Sequence, residues 1–112
     1  MSYAPSRGDL VWLTFTPQAR HEQAGRQPAV VVSPKAYNER VRLALVCPVT
    51  SQAKGYPFEV VLPDGLQLTG VVLADQVKSL DWRVRKSAFV GRLPAKTLRE
   101  VIQKLLTLIG DG

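Results

Sequence analysis

Three short polar stretches of this chain carry the side chains that phosphate chemistry needs. The first runs from Arg20 to Gln27 and offers Arg20, His21, Glu22, Gln23 and Arg26. The second follows an apolar run and offers Thr50, Ser51, Gln52 and Lys54. The third is Asp75-Gln76-Val77-Lys78. Cleavage of a phosphodiester by its neighbouring ribose 2′-hydroxyl asks for three things. A base takes the hydroxyl proton, a cation or hydrogen-bond donor stabilises charge growing on the phosphoryl oxygens, and an acid helps the 5′-oxygen leave. Glu22 or His21 has the chemistry of the base. An arginine suits the growing charge, because its planar fork matches a phosphate. Thr50 can hold a phosphate oxygen through its hydroxyl. This chemistry requires no metal, and a chain with one His and one Cys offers no His/Cys ligand cluster.

Residue types alone leave plainer readings open. Glu22 can simply pair with Arg26 across an exposed loop, His21 can be a solvated loop residue, and Thr50 can be an ordinary strand end. Arg83, Arg85 and Lys86 can be a charged edge that keeps a strand from pairing with other chains.

The elements that must position these groups are legible from pattern. Ala29–Val32, with three consecutive valines between Pro28 and Pro34, reads as a buried strand. Before it, Leu10 to Thr16 reads as a strand with Val11, Leu13 and Phe15 on one face. After it, Lys35 to Glu39 reads as one helical turn. Strands follow at Val41–Val49, Phe58–Leu62, Gly70–Ala74 and Ser87–Leu93, with Val77–Trp82 extending or bending the one before it. Pro63-Asp64-Gly65 marks a turn. From Pro94 the period changes: Leu98, Val101, Ile102, Leu105, Leu108 and Ile109 recur at spacings of three and four, one apolar face of a helix that Gly110 stops. Lys96, Arg99, Glu100 and Lys104 fall outside that face. Six or seven short strands followed by one helix predict a mostly-β domain, a small curled sheet or barrel. If the Ala29–Val32 and Val41–Val49 strands are neighbours, the first two polar stretches open at one end of the sheet.

Composition narrows the partners. A chain of 112 residues with 46% hydrophobic and 21% charged side chains is a single globular domain, 1–112, with enough length to bury a core. Its net charge of +6 favours an anionic partner, a nucleic acid or an acidic protein segment. Cys47 is alone, so no intrachain disulfide forms, and its apolar neighbours suggest a buried, inert thiol. No apolar run is long enough to span a bilayer, and the N-terminus lacks a signal peptide's hydrophobic stretch, so a cytoplasmic protein is expected.

Four segments resemble the MazF/PemK family of toxin endoribonucleases. They are G-D-L-V-W at Gly8–Trp12, E-Q-A-G-R-Q-P-A-V-V-V-S-P at Glu22–Pro34, P-V-T-S-Q-A-K-G-Y-P-F-E-V at Pro48–Val60 and L-A-D-Q-V-K-S-L-D-W-R at Leu73–Arg83, with the closing helix after them. The resemblance covers nearly the whole chain in order. It implies an SH3-like β-barrel of the CcdB/MazF-like type with a C-terminal α-helix, and a homodimer. It implies cleavage of single-stranded RNA without metal or cofactor, leaving a 2′,3′-cyclic phosphate and a 5′-hydroxyl. It also implies silencing by a cognate antitoxin with an acidic flexible tail.

The family's loop glutamate falls on Glu22 and its active-site threonine on Thr50. Its arginine stands directly before the proline of the second strand, where this chain has Gln27; the arginine here is one place earlier, at Arg26. Neighbours in an extended strand point opposite ways. Two expectations follow: either Arg26 (or Arg20) substitutes through a bend, or the enzyme is slow. The expected catalytic set is Glu22, Arg26 and Thr50. The expected RNA contacts are Arg20, His21, Gln23 and Gln27 from the first stretch, Ser51, Gln52 and Lys54 from the second, and Gln76 and Lys78 from the third. Tyr56 and Trp82 are stacking faces or barrel packing. Two other classes stay in view: a catalytically weakened module of the same fold that holds RNA or antitoxin, and a toxin that inhibits a protein, as gyrase-poisoning CcdB toxins do. The E-Q-A-G and K-G-Y-P-F segments favour the ribonuclease.

Overall fold

One strand, Leu43–Thr50, forms the axis of the sheet, and the others are arranged along its two edges. The computed structural model describes residues 3–15 and 25–110. Arg20, His21, Glu22 and Gln23 lie outside them. In chain order the elements are β1 (Asp9–Thr14), β2 (Arg26–Val31), α1 (Lys35–Val41), β3 (Leu43–Thr50), β4 (Glu59–Val61) and β5 (Val71–Leu73). A 3-10 turn (Ala74–Gln76), β6 (Lys78–Asp81), β7 (Ala88–Arg92) and α2 (Ala95–Ile109) complete them. β3 pairs with β2 on one edge. On the other edge its first half pairs with β6 and its last two residues with β5. The path β4-β5-β3-β2-β1-β7 is antiparallel throughout. Its two ends do not pair, so the sheet is barrel-like without closing.

The apolar end of β2 (Ala29–Val31) and the second half of β3 (Val46–Val49) are buried on both faces, which is why they read as continuous apolar runs rather than alternating ones. Val30, Val32, Cys47 and Val49 join Leu10, Val60 and Val72 in a cluster that α2 covers with Val101 and Leu105. Ala29, Val31, Ala44 and Val46 point the other way, into a second cluster with Val11, Leu13, Leu80 and Trp82. Phe15 packs against this second cluster, on the face predicted for it. Leu98 and Ile102 of α2 pack as the helix period predicts. Leu108 and Ile109, expected on the same face, are exposed instead, because they lie on the last turn of α2.

The expected strand at Val41–Val49 begins two residues later. Val41 closes α1, and Arg42 adopts a left-handed conformation (φ 63°) that turns the chain into β3. The cause is Asn38. It is fully buried, accepts from Ser33 Oγ at 2.6 Å, and donates to the carbonyls of Pro5 (2.9 Å) and Ser33 (3.1 Å). Its own carbonyl accepts the Arg42 amide and the Trp82 indole N–H. With its own amide on the Pro34 carbonyl at 3.0 Å, six bonds on one residue fix the helix end more firmly than the β-propensity of Val41 can oppose.

Cys47 is fully buried; desolvation, with the charge of Asp75 adding to it, pushes its thiol up to about 12. Two outcomes are expected for Cys47. Cys47 does not react with a thiol reagent until the protein unfolds. Its neutral form also stabilises the fold below the ordinary thiol value of 9.0, a contribution that fades as pH rises from there through about 12; thiol titration in the presence and absence of urea, and unfolding curves across that pH range, check both. Asn38→Ala strands three buried polar partners and lowers the unfolding free energy by about 3 kcal/mol, read from the urea midpoint.

Candidate active site

The pairing of β2 with β3 decides which side chains share a face. Ala29 sits opposite Pro48 and Val30 opposite Cys47, and continuing that register places Gln27 opposite Thr50. Directly opposed residues of an antiparallel pair project to the same side. Gln27 therefore reaches across to the end of β3, where its amide donates to the Val49 carbonyl at 3.1 Å. β2 begins and β3 ends at one end of the sheet. β1 also ends there, and the Phe15 amide meets the Gly25 carbonyl at 2.8 Å.

Gln27 and Thr50 line an open cavity of about 280 Å³. Leu73, Asp75, Gln76, Gln52, Lys54, Tyr56 and Glu59 complete its lining. The Thr50 hydroxyl accepts the Gln52 amide at 3.2 Å, which leaves its proton to donate outward. Lys54 is the one cation among the described lining residues. The cavity thus offers a hydroxyl, three amides, an ammonium and an aromatic face, donors suited to a phosphate and a base edge. Among the described residues no three His, Cys, Asp or Glu side chains gather as metal ligands would.

The sequence-based set divides on this geometry. Thr50, Gln27, Gln52, Lys54 and Gln76 come together. Lys78 stays outside the cavity, its ammonium 5.8 Å from the Phe15 ring centroid, and Ser51 is exposed without lining it. Arg26 is not brought to the cavity. It pairs with Thr14 across β1–β2, donating to Thr14 Oγ1 at 3.1 Å and to the Lys86 carbonyl at 3.2 Å. The reason is the strand's period of two: Arg26 is extended, and its neighbour Gln27 holds the cavity side. Trp82 is a core residue whose indole N–H donates to Asn38, so it offers no stacking face; Tyr56, 61% exposed, does. Arg85, read as a solvated edge, donates to the carbonyls of Thr14 and Phe15. Sequence reasoning missed Glu59. The available clue was a lone acid between Phe58 and two valines in a strand, shortly after Lys54-Gly55.

The sequence profile of the PemK-like, MazF-like toxins of type II toxin–antitoxin systems matches residues 6–109. The chain belongs to this family. It is 48% identical over 108 residues to an endoribonuclease toxin MazF of Escherichia coli (strain K12), covering 96% of each chain. Its fold matches a crystal structure of MazF from Deinococcus radiodurans with a TM-score of 0.89 at 58% identity, covering 97% of this chain and 99% of that one. It also matches a MazE–MazF crystal structure from the same organism, with a TM-score of 0.90 at 55% identity over 98% of this chain and 100% of that one. The barrel-like sheet with its C-terminal helix is thus the family fold.

In this family member the place of Thr50 depends on Gly70, which precedes β5. Gly70 has a φ of +132°, and a Cβ there would collide with the Thr50 carbonyl and press on Ser51 Cα at 3.3 Å. Gly70→Ala must push the end of β3 aside. The expected result is a loss of about 2 kcal/mol in unfolding free energy, with the largest amide chemical-shift changes at Thr50 and Ser51.

Proposed function

We propose that this protein is an endoribonuclease toxin that cuts single-stranded RNA and is silenced by a cognate antitoxin. The observation that carries the reading is that Gln27, Thr50 and Lys54 line one polar cavity, with the Gln27 amide held on the Val49 carbonyl, in a chain of the MazF-like family. The Thr50 hydroxyl, the Gln27 amide and the Lys54 ammonium are the donors to the phosphoryl oxygens. Glu22, from the stretch between β1 and β2, is the base. It takes the proton of the 2′-hydroxyl, the 2′-oxygen bonds to phosphorus, and the bond to the 5′-oxygen breaks as that oxygen takes up a proton from water; Glu22 then returns its own proton to solvent. The products are a 2′,3′-cyclic phosphate and a 5′-hydroxyl, and no step requires a metal. Gln52 and Gln76 read bases at the cavity, with Ser51 and Lys78 on its approaches and Arg20, His21 and Gln23 beside Glu22.

The antitoxin has an acidic flexible tail, which the net charge of +6 and the similarity to MazE–MazF complexes support. The protein works in the cytoplasm as a homodimer. Apolar side chains left exposed at Tyr37, Val41, Leu43 and Leu45, and at Leu106, Leu108 and Ile109, supply surface for a second copy.

A second reading, a slow or inactive module that binds RNA or antitoxin, has one observation in its favour: no guanidinium is among the described residues that line the cavity. A preorganised charged donor is worth ~10²–10³ in rate at such a site. Three variants separate the readings. Thr50→Ala is expected to lower RNA cleavage by ~10²-fold, and Gln27→Arg to raise it by up to ~10²-fold. Arg26→Ala should cleave at about the parent's rate, because its guanidinium serves Thr14 and Lys86. A short RNA with a 2′-deoxy sugar at the cut site stays whole if the 2′-hydroxyl is the nucleophile; its cleavage, or a parent protein that cuts no RNA in the presence or absence of a chelator, defeats the proposal.

A further inference from the structure

Residues 51–57 form an arm that is exposed along its whole length, yet Gln52, Lys54 and Tyr56 on it line the cavity. No buried apolar side chain anchors this arm. Tyr56 is 61% exposed, and Gly55 bends the backbone through a φ of +78°. Two ionic side chains hold it instead. Glu59, at the start of β4, turns its carboxylate back toward the arm. Oε1 accepts the amides of Lys54 (3.2 Å) and Gly55 (3.0 Å), and Oε2 accepts the Lys54 amide at 3.0 Å. Successive backbone N–H groups converging on a carboxylate make an anion nest, here filled from within the chain. From the other side Lys104 of α2 donates to the carbonyls of Pro57 at 2.6 Å and Glu59 at 3.1 Å.

We infer that Glu59 and Lys104 form a brace that positions the 51–57 arm over the cavity, so that Glu59 is a positioning residue for substrate recognition. The inference rests on the ribonuclease reading above for what the arm recognises. The brace itself is a property of the fold. Its two members lie on elements already fixed by the core: Val60 follows Glu59 into the main cluster, and Val101 and Leu105 flank Lys104 on α2. The rigid part of the molecule therefore holds the arm through charge-assisted hydrogen bonds, each stronger than a neutral one. Cutting the brace frees the arm without opening the core. Substrate must then order Gln52, Lys54 and Tyr56 as it binds, which weakens binding and blurs base reading while the groups at Thr50 stay in place.

The test uses the full chain with Glu59→Gln, Lys104→Met and Lys104→Arg. Glu59→Gln keeps size but replaces one acceptor oxygen with an NH2 that faces N–H groups. The first readout needs no RNA. Native trypsin cuts after Lys54 only when the arm opens, so its rate there, relative to cutting elsewhere in the chain, is expected to rise by about tenfold in Glu59→Gln and Lys104→Met. The second readout is steady-state cleavage. Both variants are expected to raise KM by about tenfold with kcat within about twofold, and to broaden the set of sites cut. Lys104→Arg should restore the parent's values. A merely structural role would instead lower the unfolding midpoint and leave site preference intact. If Glu59→Gln is cut at Lys54 as slowly as the parent, the brace is refuted whatever the RNA data say. A fall in kcat at constant KM also refutes it, because Glu59 would then act on the reacting atoms. If the parent cuts no RNA but both variants loosen the arm, the brace stands and the ribonuclease reading falls. Should Glu59→Gln fail to fold, Lys104→Met decides by the same two readouts.

Discussion

The site's composition depends on the register between β2 and β3. A slip of one residue would carry Gln27 away from Thr50 and bring Arg26 to the cavity, because every side chain of a strand changes face with each step. What prevents the slip is burial on both sides. Val30, Val32, Cys47 and Val49 fill one cluster while Ala29, Val31, Ala44 and Val46 fill the other. Exchanging the two sets would press valines into the space of alanines and leave gaps where valines had been. Overpacking and cavities each cost on the order of 1–3 kcal/mol per site, so the packed core fixes the register and the register fixes the chemistry.

Much of the positive charge is already committed to structure. Arg7 donates to the Val32 carbonyl at 2.7 Å, and Arg92 bonds buried Asp9 at 2.6 Å and the Arg7 carbonyl at 3.1 Å. Arg26 and Arg85 hold the end of β1. These guanidiniums still contribute to the long-range field that draws an anion toward the protein. Their directional donors are spent on backbone carbonyls, the Asp9 carboxylate and the Thr14 hydroxyl. Net charge therefore overstates the number of arginines free to grip a phosphate.

The molecule joins two kinds of order. The core is held by apolar packing and by one dense polar hub at Asn38, with no disulfide. The arm over the cavity is held by polar tethers alone, and its stability is separable from that of the core. Such a division suits a surface that must accept a ligand and later release it.

The sequence by itself determined the element order, the mostly-β class and the closing helix, because strand and helix periods are local properties. It also placed Thr50, Gln52, Lys54 and Gln76 in stretches that could converge, since loops that bound adjacent strands meet at one end. It flagged the Gln27–Arg26 exchange as a matter of which face each residue takes, and no local pattern could answer that. Only the tertiary structure decided it, because facing is settled by which neighbours each strand must bury. The same holds for Trp82, recruited to cap Asn38 from 44 residues away, and for Lys104, which a helical wheel puts outside the apolar face but α2 delivers to the carbonyls of another segment. Contacts between residues far apart in the chain leave no periodic trace in it, and these are the contacts that select which donors the cavity holds.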